Sequence, residues 1–377
     1  MDTITVGSTV DFAITIPYQL GYHPGGSLVV VGFDGKRVLG IMRIDLGEPD
    51  RPDFGVEALN ALVREGADGV IVVAFEDRPS QGAPLLRSFV AGAVEHKIAV
   101  RDVLVIRGRR WFAVGATGHA HGNGRPLPDP SRVPAVAEFV ARGRSPLPSR
   151  DALRDLVECD GSVLSVDIGS EVSALLAAAE TPEPLVSPES VAAWRLLLAD
   201  DRPATDAAPV VSRALVGLLD RDWRDGLLAW LCPDTLSLDL VRVDVRTALR
   251  ASPRPALPVG EDAADSAPGA PTGAASADAV ADDGDEDRLQ RRLVGLCRLV
   301  PDGAGDVAAA ILTVAAHVAW CDGDGTIAAV ALARALRVAP HYRLAQLLDQ
   351  LVGAGIRAST ARSERSTGAP DRGRPAA

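Results

Sequence analysis

Through about the first 120 residues, unbroken apolar runs of strand length alternate with segments whose apolar positions recur every third or fourth residue. Residues 28–33 and 70–75 are continuous apolar runs, the pattern of strands covered on both faces. Residues 37–46 return from the first run across Asp34-Gly35, a tight-turn dipeptide that predicts a hairpin. Residues 102–107 and 110–114 predict a second hairpin across Gly108-Arg109. Helical spacing covers 54–66 and 82–97. Ser8 with Asp11 has the spacing of a helix start, and Pro17 should end or kink that helix. Residues 1–125 are therefore expected to form an α/β domain on a mixed sheet of about five strands.

Beyond a Gly/Pro-rich passage at 119–130 only helical patterns follow, giving an all-α region over 126–251 with helix starts at Ser149, Ser170 and Ser187. Residues 236–249 are ambiguous, since their apolar positions alternate for part of the length. Residues 252–287 are Ala, Pro, Gly, Ser and Asp, too polar to bury a core, and predict a disordered acidic linker. A C-terminal helical segment of three or four helices is expected over 288–356, and a disordered tail over 357–377. Within that segment Leu312, Ala316, Ala319, Ala328, Leu332, Ala335 and Pro340 carry the small-and-large spacing of a tetratricopeptide-like (TPR-like) helical hairpin. Any alanine-rich hairpin gives the same spacing. The apolar run 307–321 is shorter than the roughly 20 residues a membrane span needs, so it reads as a core helix.

Charge changes this picture little. The net charge is −11, but residues 255–287 hold nine carboxylates and no basic residue, which leaves the remainder near neutral. All but two of the 39 basic residues are arginine, the exceptions being Lys36 and Lys97. With no basic stripe, this reads as compositional bias, and no nucleic-acid partner is expected. The first residues lack the basic stretch of a secretory signal, which together with the short apolar run predicts a cytoplasmic protein with no membrane partner. Cys159, Cys232, Cys297 and Cys321 are far apart with no Cys-x-x-Cys pair, so buried reduced thiols are expected, with no metal and no cofactor.

Five segments add a family likeness. They are residues 17–31 (PYQLGYHPGGSLVVV), 109–111 (RRW), 146–150 (PLPSR), 320–325 (WCDGDG) and 331–348 (ALARALRVAPHYRLAQLL). In this order they resemble the bacterial family described as domain of unknown function 4192. The likeness spans nearly the whole chain apart from the acidic linker and the tail. It implies no activity, cofactor or catalytic residue. It departs after Trp111, where relatives tend to carry cysteines and prolines and this chain has residues 115–122 (GATGHAHG), so no thiol or metal role is expected there.

Strand direction locates a candidate site. The hairpin places Ser27 opposite Arg43 or its neighbour and the Tyr22-His23 loop near Asp45, with Arg43 and Asp45 on one face of their strand. Helical connections from the second strand to the third, and from the third to the fourth, favour parallel crossovers. The carboxyl ends of these strands then share one edge, where crevices of open α/β sheets form. His23, Ser27, Arg43, Asp45, Asp77 and Arg107 thus define a candidate ligand crevice, beside Glu76. Its arginines suit a small anionic ligand, and His23 with Asp45 suits acid/base work. The plainer alternative is an Arg43–Asp45 salt-bridged rim with His23 packed on its loop. Ser27 lacks a nucleophile-elbow context and reads as a turn hydroxyl. His119 and His121 lack a third ligand, and 322–325 lacks the glutamate of a calcium loop. The expected function is a non-catalytic, ligand-responsive or scaffolding protein whose C-terminal helices meet a protein partner. The alternative is a hydrolase or transferase acting on a small anionic metabolite in the crevice.

Overall fold

The structure, a computed structural model, describes residues 8–47, 54–115, 118–141, 144–178, 188–199, 207–233, 235–251, 283–354, 356 and 358. The chain forms two compact units, residues 1–153 and 154–377.

The first unit contains α1 (Thr9–Leu20), β1 (Ser27–Asp34), β2 (Arg37–Asp45), α2 (Phe54–Arg64), β3 (Gly69–Phe75), α3 (Ala83–Glu95), β4 (Ala99–Arg107), β5 (Arg110–Ala113), β6 (Arg125–Pro126) and α4 (Pro134–Ala141). The six strands make one mixed sheet in the order β2-β1-β3-β4-β5-β6. The expected α/β fold holds; the extra strand is the two-residue β6. β1 runs antiparallel to β2 and to β3, and β3 is parallel to β4. Hence β2, β3 and β4 point the same way although β1 lies between β2 and β3. Alternate residues of the central strands face opposite sides, and both sides are covered. Leu28, Val30, Val70 and Val72 share a core with Leu59 and Leu62 of α2 and with Leu86 and Phe89 of α3. Each such buried side chain contributes about 1.5–3 kcal/mol. Towards the other side, Phe12 of α1 meets Phe33 at 5.7 Å between ring centres, and Ile14 packs with Val133, Ala135 and Val136 at α4. That packing extends the sheet unit past residue 125, the end expected from the Gly/Pro-rich passage.

Three local readings shift. Ser8 caps α1, its hydroxyl accepting from the Asp11 amide at 3.1 Å, but the helix runs through Pro17 and ends at Gly21, φ +77. Proline removes one donor there and leaves the Ala13 carbonyl without its intrahelical partner. The first hairpin turns at Gly35-Lys36, one residue later than expected, and a bulge between Gly32 and Phe33 leaves Leu39 unmatched. Ser27 therefore pairs with Asp45 and not with Arg43 or its neighbour. Ser149 does cap a helix, α5 (Arg150–Asp155), accepting from the Ala152 amide at 3.2 Å.

The second unit is helical: α6 (Val163–Ala178), α7 (Pro188–Ala199), α8 (Ala208–Val216), α9 (Arg221–Leu231), α10 (Val243–Arg250), α11 (Asp283–Arg298), α12 (Asp306–Cys321), α13 (Gly325–Val338) and α14 (Arg343–Gly353). Ser162, not Ser170, starts α6, its hydroxyl accepting from the Ser165 amide at 3.2 Å. The Ser170 hydroxyl instead donates back to the Val166 carbonyl at 3.1 Å. Ser187 lies outside the described residues. The ambiguous stretch 236–249 is a short turn of 3-10 helix followed by α10, not a strand. The acidic linker and the tail lie outside the described residues except at residue 358 and at one end of the linker, where α11 begins at Asp283. Acidic residues suit a helix's first turn, so a run of aspartates does not exclude helix there.

α12 is buried at every position from Val307 to Trp320 and packs against α8, α9, α11, α13 and α14. Asp324 caps α13 by accepting from the amides of Thr326 and Ile327, making residues 322–325 a helix–helix turn. The tetratricopeptide reading gains no support from this arrangement. In such arrays each unit touches only its sequence neighbours, whereas α12 is ringed by helices from across the unit. Trp194 and Trp223 are fully buried core residues. Among the described residues no helix is long and apolar enough to cross a membrane.

Candidate functional site

The register puts Asp45 and Phe75 at the same level, both opposite Ser27, and Ile106 opposite Phe75. The carboxyl ends of β2, β3 and β4 thus lie along one margin, as their shared direction requires. Residues following those ends gather there with the loop that feeds β1. The strand bend is tied down by backbone bonds: His23 donates to the Leu147 carbonyl at 2.9 Å, and Leu147 donates to the Gly21 carbonyl at 2.8 Å. Two of the family-like segments, 17–31 and 146–150, therefore meet at this margin.

The predicted crevice residues divide into two sets. In the first, Ser27 is fully buried, its hydroxyl donating to the Gly25 carbonyl at 3.1 Å and accepting from Arg43 Nε at 2.8 Å. Arg43 also pairs with Asp45, and Arg150 approaches the same carboxylate at 3.7 Å. The Arg43 guanidinium lies 5.9 Å from the centre of the Tyr22 ring. Burial pushes the Tyr22 phenol up, and Arg43 and Arg150 pull it partly back. Every member of this knot is engaged, so Ser27 has no free hydroxyl for nucleophilic work and Asp45 does not orient His23.

The second set remains open. His23 and Asp77 line a cavity of about 330 Å³ together with the apolar Ile14, Tyr18, Phe75 and Ile106 and the exposed Arg109. Pro17 and Ala13 also line it, so α1 supplies one wall. Asp77 is exposed, and its carboxylate lies against Gly25 and Gly26, where a Cβ on Gly26 would come within 2.9 Å of Oδ2. Gly26 also holds φ +60, so both space and conformation ask for glycine. Neither Asp77 nor Arg109 makes a side-chain ion pair or hydrogen bond among the described residues. Asp129, nearby, is held below the usual carboxylate range chiefly by its Ser131 hydrogen bonds, with a smaller pull from Arg109.

Behind this rim Glu76 is buried, yet fully engaged. One carboxylate oxygen accepts from the Gly82 amide at 2.8 Å at the start of α3, and the other accepts from Arg107 at 3.2 Å. The Arg107 guanidinium stacks 4.5 Å from the Phe112 ring centre. Arg107, one of the predicted residues, is thus a support for the crevice wall. The 77–82 loop is shaped by Gln81, whose side-chain oxygen accepts from the Asp77 and Arg78 amides at 3.1 and 3.3 Å. Ser80 in the same loop holds φ +62, a strained conformation for a non-glycine residue. Arg109 was missed from the sequence; its signal was its position after Gly108 in a hairpin turn at the margin.

A second depression, about 370 Å³, lies against Trp111, Phe112 and His121. Its flanking cations are engaged: Arg125 stacks on Trp111 at 5.4 Å, and Arg110 donates to the carbonyls of Asn123 and Gly124. His119 is held by Ser80 at 3.1 Å and does not join His121 in a ligand set.

In the helical unit, two of the widely spaced cysteines converge. Ligand atoms of Cys232, His317 and Cys321 all lie within 4.8 Å of one another. The Cys321 thiol is pulled down to about 5, first by its hydrogen bond with Cys232 and then, against burial, by His317. By contrast, burial pushes the Cys297 thiol up to about 12.

A mixed-sheet α/β unit with a strand-end crevice, followed by a helical unit built around one buried helix, is the class of protein these features define. A family model described as "Domain of unknown function (DUF4192)" matches residues 10–259 and 270–359, and the chain belongs to that family. No curated protein and no solved structure matches the chain.

Proposed function

We propose that the N-terminal unit is a non-catalytic binding module for a small zwitterionic molecule, in a cytoplasmic bacterial protein that responds to that ligand. One observation carries the reading: a cavity with an apolar lining and two opposite charges, Asp77 and Arg109, neither of which makes a side-chain ion pair or hydrogen bond among the described residues. Ligand pockets combine an apolar lining with a few placed polar groups, and about 330 Å³ falls at the small end of their range. A ligand amine at Asp77 and a carboxylate at Arg109 would each make a charge-assisted hydrogen bond worth about 1.5–3 kcal/mol. The ligand's body would lie on Tyr18, Phe75 and Ile106. Arg109 alone would serve the simple anion expected from the sequence, but Asp77 would repel it. The enzyme alternative is not favoured, because the serine, imidazole and carboxylate do not form a hydrogen-bonded chain.

The test is a thermal-shift and calorimetric screen of the full chain against free amino acids and other zwitterions, with matched mono-anions and mono-cations. A zwitterion is expected to raise Tm in the wild type and to lose its effect in Asp77→Asn and in Arg109→Gln. A response in both variants equal to that of the wild type, or no response from any zwitterion, would contradict the proposal. Conversion of the bound compound, seen by mass spectrometry, would overturn its non-catalytic part.

A further inference from the structure

The helical unit carries a separate cluster that the crevice does not use. α9 ends at Leu231 with Cys232 as its C-cap, and Pro233 prevents its continuation, so the thiol sits where the backbone turns away. Cys321 lies four positions after His317 on α12, which places them one turn apart on one helix face. Thr235, in the turn after α9, fixes the geometry: its hydroxyl lies 3.0 Å from His317 Nε2, 3.5 Å from Cys321 Sγ and 3.0 Å from the Cys232 carbonyl. The Trp320 ring meets the imidazole edge-on at 5.6 Å. Cys232 and His317 are buried, each 7% exposed.

We propose that Cys232, His317 and Cys321 form a zinc site that ties the C-terminal end of α9 to the last turn of α12. Two sulfurs and an imidazole nitrogen are a soft donor set that suits Zn²⁺ and not Mg²⁺ or Ca²⁺. Tetrahedral zinc, with Zn–S near 2.3 Å and Zn–N near 2.0 Å, needs ligand atoms about 3.4–3.8 Å apart. The cluster, with every separation within 4.8 Å, reaches this by side-chain adjustment. With both sulfurs bound as thiolates and the imidazole neutral, the zinc dication and its ligands carry no net charge. That balance removes the cost of burying an unpaired charge. The fourth position falls to water or to the Thr235 hydroxyl. The competing arrangement of the same residues is a pair of thiols packed as small apolar groups, or joined in a disulfide.

The experiment titrates the reduced, chelator-treated full chain with Zn²⁺ and Co²⁺. Expected are one equivalent bound and a Co²⁺ spectrum with thiolate charge-transfer and tetrahedral d–d bands. Zinc at a hundredfold excess over its Kd should raise Tm by on the order of 5–10 °C. The bound equivalent should be lost in the Cys232→Ser/Cys321→Ser double variant and weakened in His317→Gln. It should persist in Cys159→Ser, a control outside the cluster. If the double variant fails to fold, the wild-type cobalt spectrum still decides, since octahedral bands without charge transfer exclude thiolate ligation. No stoichiometric uptake by the wild type, equal uptake by a folded double variant, or a Cys232–Cys321 disulfide with no uptake after reduction would each overturn the proposal.

Discussion

In the helical unit, the Arg334 side chain is 1% exposed, and every direction its guanidinium faces holds an acceptor. It donates to the carbonyls of Val157, Cys297 and Val300 and pairs with Asp302 at 2.8 Å. In the sheet unit, Arg109 and Asp77 stand at a cavity rim and make no side-chain ion pair or hydrogen bond among the described residues. Charge alone therefore does not mark a site. A buried cation with all its donors satisfied is structural, because any ligand would have to displace bonds already made. A rim charge with none satisfied has its interaction capacity in reserve. The same contrast runs along the sheet margin itself, between the engaged Ser27–Arg43–Asp45 knot and the open His23–Asp77–Arg109 crevice.

The largest effect should come from the structural side. Arg334→Ala leaves the buried carbonyls of Val157, Cys297 and Val300 without this donor and should cost about 3–5 kcal/mol in urea denaturation; a cost below about 1 kcal/mol would erase the contrast. The buried thiol beside it supplies a pH dependence. Cys297, with its folded value raised to about 12 against an ordinary value near 9, favours the folded state fully below pH 9. That contribution is lost as pH rises towards 12, with a slope of up to about 1.4 kcal/mol per pH unit. Denaturation midpoints of Cys297→Ala followed over pH 8.5 to 11 should show a flatter fall (about these limits, set by the titration window).

On the rim, Gly26→Ala should cost about 1–3 kcal/mol, because it combines a left-handed backbone with the close Asp77 carboxylate. Adding Asp77→Ala should recover the contact part of that loss and not the backbone part. Asp77→Asn alone should change stability by no more than about 0.5 kcal/mol while abolishing ligand response. A large stability loss from Asp77→Asn would move that residue to the structural class.

Strand directions and the shared margin were legible because helices separate the strands, and parallel crossovers follow from that alternation. The exact partners were not. One displaced turn and one bulge at Leu39 moved Ser27 from Arg43 to Asp45, since register depends on single-residue turn geometry. Pairing was equally hidden: nothing in the order of residues says that Asp45 is held by Arg43 and Arg150 while Asp77 is held by none. The Cys232–His317–Cys321 cluster was illegible for a different reason. Its third member, Cys232, lies far along the chain from the His317–Cys321 pair on α12, and spacing rules do not join a lone cysteine to a distant pair. Arg334 gave no sign either, standing in an alanine-rich helix as one arginine among many.

The central claim is that the open half of the margin, and not the engaged half, receives a ligand. Amide hydrogen exchange of the full chain with and without the best zwitterion from the screen tests it most directly. Added protection is predicted at the bend before β1 and in residues 77–82, with the β2 end around Asp45 unchanged. Protection centred on Arg43 and Asp45, or confined to residues 154–377, would contradict the account.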